Sequence, residues 1–318
     1  MNAITNIDHE QLRAECRRLK DQESIAFTAQ ARDCGVAYGS FTNWLGATYA
    51  GNNEAIAEKV THWLAARTER AAAVATLPTA PTFVATPTST AIMTLFTFAQ
   101  SSPDIVVVAT SAGVGKSTTA EEYKRTRPNV HLITMRPSTS GTHTMLAEIA
   151  EVMGIEERTV NKLARAIGRR VHGSNALLII DEAQHLAPAA LDELRSIHDA
   201  WGVGIALVGN QTVYSRLEGE GRKSSLAQLF SRVGMRLTQA RPRVEDVTAL
   251  VAAWGIDDPS MTRTLQAIAS KPGALRAVSK TLRLATMVAK GSEGPGGSVL
   301  TDAHIRAAWK QLGDTLSE

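Results

Sequence analysis

Cysteine is scarce in this 318-residue chain: only Cys16 and Cys34 occur, both near the N-terminus. No Cys/His cluster accompanies them, so neither a disulfide framework nor a metal site is expected, and two buried thiols in a reducing cytoplasm are the reading. No apolar run approaches the roughly 20 residues of a membrane span, and no signal-peptide core precedes the first charged residues. A membrane partner is therefore not expected. Charge of one sign is missing as well. Lys and Arg number 34 against 31 Asp and Glu, a net of +3, so any nucleic-acid surface has to be a local patch. What is present is a globular composition, 44% hydrophobic and 20% charged, which argues against wholesale disorder. The length allows two or three domains.

Three of the chain's prolines fall in AAAVATLPTAPTFVATPTST, residues 71–90, a stretch expected to be a linker. Before it lies a segment of helical character, residues 1–70. After it, apolar runs alternate with helical patterns: Ile105 to Ala109, Val130 to Thr134, Ala176 to Ile180, Ile205 to Val208, and a weaker run from Met235 to Thr238. That alternation predicts an α/β core with a parallel five-stranded sheet over residues 91–240. From about Arg241 only amphipathic helices remain, broken by DDP, KPG and GSEGPGGS, which predicts a C-terminal helical lid over 241–318. The stretch from Gly291 to Ser298 is expected to be a flexible loop.

The first apolar run is followed by TSAGVGKST, Thr110 to Thr118, and then by a helical segment. A strand, a glycine loop and a helix beginning at Lys-Ser direct backbone N–H groups and a helix N-terminus at a phosphate. Ser111, Ala112, Gly113, Val114, Gly115, Lys116, Ser117 and Thr118 are the candidate nucleotide cradle, with Lys116 reaching the β/γ-phosphates and Ser117 offering its hydroxyl to Mg²⁺. Thr110 stands where G-x-x-x-x-G-K-[ST] has its first glycine, and Gly113 and Gly115 are expected to supply the backbone freedom instead. In ALLIIDEAQ a buried strand ends in two acids: Asp181 to hold the metal and Glu182 to polarise the attacking water. IALVGN is a further strand, ending in Asn210, whose amide can orient that water.

The order of these motifs resembles the AAA+ ATPases. In such a fold Arg232, just before the fifth strand, faces the neighbouring subunit's nucleotide as a finger in trans, with Arg236 the competing candidate, and Arg276 in KPGALRAV resembles the lid's sensor arginine. Nearer the N-terminus, Ala31, Gly35, Phe41 and Trp44 have the spacing of a helix-turn-helix. Ser40, Thr42 and Asn43 would then face outward. Such a module binds DNA or, equally in kind, protein. A GNN turn at Gly51 to Asn53 precedes a helix expected over Glu54 to Arg67.

Taken together, Gly51-Asn52-Asn53-Glu54, AGVGKS, LLIIDEAQHL, VGN followed by Tyr214 and Ser215, LFSRVGMR and KPGALR resemble the Mu-type target-DNA activators, phage AAA+ transposition ATPases, over essentially the whole chain. The resemblance implies an ATP- and Mg²⁺-dependent ATPase in the bacterial host cytoplasm. It also implies self-assembly into an oligomer or helical filament on double-stranded DNA of weak sequence selectivity, delivery of that DNA to a transposase, and stimulation of strand transfer. Candidate phosphate contacts are Lys162, Arg165 and Arg169 on one helical face with Arg170 adjacent, and Arg136, Ser138 and Thr139 in MRPSTSGT. Two rival readings share parts of this pattern: a helicase loader or replication initiator, and a helix-turn-helix regulator with a nucleotide switch.

Overall fold

The five apolar runs are the strands of one parallel sheet: β1 (Ile105–Thr110), β2 (Val130–Thr134), β3 (Leu177–Asp181), β4 (Gly204–Gly209) and β5 (Val233–Gln239). The computed structural model describes residues 8–76, 81–157, 159–213, 226–291 and 299–313; Tyr214, Ser215 and residues 292–298 of the expected loop lie outside these. β1, β3 and β4 are buried at every position, as strands covered by helices on both faces must be. The side-chain alternation of β1 divides the core in two. Ile105, Val107 and Ala109 meet Met145, Leu163 and Leu194 from α7 (Thr142–Val152), α8 (Val160–Val171) and α9 (Pro188–Trp201). Val106 and Val108 meet Ile92, Phe96 and Tyr123 from α5 (Pro87–Ser101) and α6 (Lys116–Thr126).

The strand order is β2-β3-β4-β1-β5. Because β4 is inserted between β1 and β3, the chain segments leaving the C-terminal ends of these three strands emerge side by side, where a parallel sheet places its ligands. β5 closes one edge and alternates between half-buried and exposed positions. A short helix α10 (Leu226–Phe230) precedes it. The lid is α11 (Val244–Ala253), α12 (Pro259–Ala269), α13 (Ala274–Gly291) and α14 (Asp302–Gln311), packed around Leu265, Ile268, Val278, Leu282 and Trp309.

One buried carboxyl group ties the lid to the core. Asp246, fully buried in the first turn of α11, accepts hydrogen bonds from Thr88 N at 2.8 Å, Thr88 Oγ1 at 2.6 Å and Arg243 N at 2.7 Å. Thr88 belongs to the first turn of α5, a helix started by Pro87 and by a capping box between Thr86 and Ser89.

Residues Met1–Pro78 form a separate compact unit. It comprises α1 (His9–Glu23), α2 (Phe27–Asp33), α3 (Tyr38–Leu45) and α4 (Asn53–Thr76). Between α2 and α3 the chain turns at Gly35, whose φ of +64° is open to glycine at little cost. Ala31, Phe41 and Trp44 are buried around this turn. Cys16 and Cys34 are free and buried, and burial, the largest influence, pushes both thiols up to about 12. The expected linker needs correction at both ends. α4 runs past Arg67 to Thr76 because an alanine-rich segment propagates a helix until a proline intervenes, and α5 already begins at Pro87, since proline is tolerated at a first helical position.

Asp246→Ala should lower the unfolding free energy by about 3 kcal/mol, because it strands the buried Thr88 N–H at the foot of α5 and removes the acceptor shared by Arg243 N. Urea denaturation checks this; a loss below about 0.5 kcal/mol, the range of ordinary surface changes, would remove Asp246 from that role.

Candidate nucleotide site

The loop after β1 explains how the motif works without its first glycine. Thr110 stays in the sheet, paired with Gln239 of β5, and has no need of left-handed backbone. The positive φ values fall on Gly113 (+81°) and on Gly115 (+102°), the residue that starts α6. Gly113 also has no room for a side chain. A Cβ there would lie 2.0 Å from the carbonyl oxygen of Gly273, in the KPG turn before α13, so the loop passes directly against the lid.

Lys116 is buried, and its Nζ donates to the carbonyls of Thr110 and Ser111, both at 2.8 Å. Burial pulls this ammonium below its ordinary value; Asp181 and Glu182 oppose that shift and Arg276 adds to it. Next to it Ser117 Oγ donates to Asp181 Oδ2 at 2.7 Å, and Asp181 Oδ1 accepts from Glu182 N at 2.9 Å. Glu182 itself sits in left-handed backbone, φ +54° and ψ +37°, which is uncommon for a residue with a side chain. At the end of β4, Asn210 uses Oδ1 to accept from Thr212 N at 2.9 Å. That leaves its side-chain NH₂ as the donor end.

Beside these groups lies one cavity of about 590 Å³. Ala112 to Thr118, Glu182, Asn210 and Arg276 all border it. Ser111 joins through its carbonyl on Lys116, and Asp181 through Ser117. Lys280 and Arg283 border it too, one and two turns along α13 from Arg276. Sequence reasoning stopped at Arg276, although ALRAVSKTLR carries the i, i+4, i+7 spacing that puts all three cations on one helical face. Pro81 to Val84, read from sequence as linker, form another wall with Leu250 and Leu275.

Arg232 lies elsewhere. It is half exposed at the start of β5, the opposite end of the strand from the loop, and its Nε donates to Asp199 Oδ1 at 3.0 Å. Asp199 also accepts from Arg195 Nη1 at 2.7 Å. Against the upward push of desolvation, Arg232 and Arg195 hold the Asp199 carboxyl below its usual range. Arg236 is exposed further along β5.

Of the residues expected to meet DNA, Lys162, Arg165, Arg169 and Arg170 are exposed on α8, whose other face buries Leu163, Ile167 and Val171. Among the described residues none of these four cations has an ion-pair partner. Arg136 and Ser138 are exposed as well, but Thr139 is not available to a phosphate: it is buried, and its hydroxyl accepts from Arg136 N at 2.9 Å and donates to Arg136 O at 3.1 Å. A threonine three residues after a turn's start closes that turn on itself, a use that sequence alone does not distinguish from an outward one. In the N-terminal unit Asn43 is exposed, while Ser40 and Thr42 are half-buried and Thr42 Oγ1 bonds back to its own helix at Tyr38 O and Gly39 O.

A parallel sheet with β4 between the loop strand and the acidic strand, covered by a helical lid, defines a P-loop ATPase of the AAA class. Comparison with known families agrees: an AAA domain matches residues 99–217, and the family described as Mu B transposition protein, C terminal, matches residues 231–312. The chain is 37% identical over 303 residues to the ATP-dependent target DNA activator B of Escherichia phage Mu, covering 95% of both chains, and equally so to that of Escherichia phage D108. It is 34% identical over 255 residues to the Mu-like prophage FluMu DNA transposition protein B of Haemophilus influenzae, covering 79% of this chain and 88% of the relative. Among solved structures, Drosophila ORC bound to DNA superposes with a TM-score of 0.54 at 13% identity, over 76% of this chain and 65% of that one, a likeness of fold alone. The chain belongs to the family of ATP-dependent target DNA activator B proteins.

Gly113→Ala should weaken nucleotide binding by about tenfold or more, since the added methyl meets a carbonyl of the lid in backbone that disfavours it. Titration with a fluorescent ATP analogue checks this; unchanged affinity would mean that the loop and lid need not touch when nucleotide is bound.

Proposed function

We propose that the protein binds Mg-ATP in this cavity, hydrolyses it, and uses the ATP-bound state to assemble on double-stranded DNA with weak sequence selectivity, presenting that DNA to a transposase and stimulating strand transfer. One observation carries the chemistry: a buried lysine, a serine–aspartate pair 2.7 Å apart and an acid two strands away from the loop meet on a single cavity. Lys116 would turn from its two carbonyls to the β/γ-phosphates, its charge stabilised there by more than a neutral acceptor provides. The donor set suits Mg²⁺, which takes hard oxygens and keeps several waters. Ser117 Oγ and Asp181 Oδ2 would hold the ion, which when bound neutralises charge on the phosphate oxygens. Glu182 then accepts a proton from the attacking water while the Asn210 NH₂ orients it.

No cysteine, histidine or other nucleophile is needed for this step, and Arg232 is the remaining piece. Its distance from the chain's own cavity supports a role toward a neighbouring subunit, for which it would exchange Asp199 for a phosphate. Self-assembly is thus part of the same reading. Lys162, Arg165, Arg169 and Arg170 would supply the electrostatic, sequence-independent contact with DNA, together with Arg136 and Ser138.

Glu182→Gln should keep ATP affinity and lose hydrolysis by about 10²-fold or more, the usual contribution of a general base, with longer-lived DNA complexes. Phosphate release under single-turnover conditions measures it, and parental turnover would dismiss Glu182 as the base. Changing Lys162, Arg165 and Arg169 together to Ala should flatten the plot of log affinity for duplex DNA against log salt by about 0.9 per lost phosphate contact. An unchanged slope would turn α8 away from DNA.

A further inference from the structure

Gln184 has no part in the chemistry described so far, yet it touches both halves of it. Its Nε2 donates to Glu182 Oε2. Its Oε1 accepts from Asn210 N at 3.3 Å. The two partners follow different strands, Glu182 after β3 and Asn210 after β4, and Gln184 borders the same cavity.

We propose that Gln184 is a positioning residue of the hydrolytic step, its amide holding the Glu182 carboxylate and the Asn210 backbone in one fixed relation. This rests on the reading of Glu182 as base and Asn210 as the water-orienting group. A carboxamide is the neutral side chain that donates and accepts at once, and both capacities are used here. Asparagine would fall one methylene short of spanning them. The local backbone provides the reach: after the left-handed Glu182, the 3₁₀ turn Ala183–His185 brings the side chain two positions later back alongside it.

The neighbouring strand leaves space for this amide. Gly209, buried in β4, has no side chain, and a Cβ there would lie 2.3 Å from Gln184 Oε1 and 2.6 Å from Val213 Cγ2. The absence of a side chain at 209 thus leaves room for Gln184 and Val213 and is not a matter of backbone conformation, since no positive φ is found there. With the amide in place, the carboxylate that takes the proton and the strand end that carries the water's donor move together. Without it, each keeps its chemistry but not its registration, and a misplacement near 1 Å can cost about 10²-fold in rate.

The test is Gln184→Met, similar in length but without the amide, in the full-length protein with duplex DNA. At saturating ATP, kcat should fall by about tenfold or more, while affinity for a slowly hydrolysed ATP analogue and the melting temperature stay at parental values. Gly209→Ala, which leaves the glutamine intact but displaces it, should lower kcat in the same way with analogue affinity retained. In a Glu182→Gln background, adding Gln184→Met should change the residual rate less than twofold, because residues serving a single step lose it only once. A Gln184→Met protein with parental kcat, or a double variant in which the two losses multiply in full, would overturn the proposal. Parental turnover by Glu182→Gln alone would instead overturn the base reading and this proposal with it, a result distinguishable from an inert Gln184→Met.

Discussion

A primary ammonium group kept out of water needs acceptors on every side it faces, and the nucleotide site is arranged around meeting that need for Lys116. The carbonyls of Thr110, at the end of β1, and of Ser111 accept its hydrogen bonds, and the acids at the end of β3 oppose the effect of burial on its charge. Both depend on the sheet. Had β3 followed β1 directly, Asp181 and Glu182 would adjoin the loop but Asn210 would lie outside them; with β4 inserted, Asn210 falls between the ends of β3 and β1. The site is thus a property of strand order before it is a property of side chains.

Two of the contacts that join the lid to this core differ in kind. Gly113 and Gly273 meet backbone to backbone at the phosphate loop, where neither residue has a side chain to separate them. Asp246, buried, accepts hydrogen bonds from Thr88 at the foot of α5 and from Arg243 N. Between them α13 presents Arg276, Lys280 and Arg283 to the cavity. α13 starts from the Gly273 turn, whereas Asp246 belongs to α11, so the two contacts hold different helices of the lid.

Much of this was legible in the residues. The buried strands are unbroken apolar runs, and the phosphate loop and acidic strand end are short motifs whose chemistry requires those residue types; the four lid helices are separated by obvious breakers. What escaped was of two sorts. Lys280 and Arg283 had a readable spacing, but the cavity they enter is formed with Pro81 to Val84, about 200 residues away in sequence, and nothing local announces that meeting. Thr139 and Gln184 are polar residues whose partners lie within a turn of them or across a strand; identity alone does not tell a hydroxyl that closes its own turn from one that faces a phosphate, or an amide that bridges two strands from one in solvent. The linker failed at one edge because helix propensity carried α4 onward to Thr76, and at the other because Pro87 already starts α5.

The claim on which the account turns is that occupation of the Lys116 site governs DNA binding. Fluorescence anisotropy of a labelled duplex, titrated with Lys116→Ala protein in the presence and absence of ATP, measures it directly. The account predicts that the parental protein binds far more tightly with ATP than without, and that the variant, lacking the charge that neutralises the β/γ-phosphates, binds with the same weak affinity in both. ATP-dependent tightening of undiminished size in Lys116→Ala would contradict it.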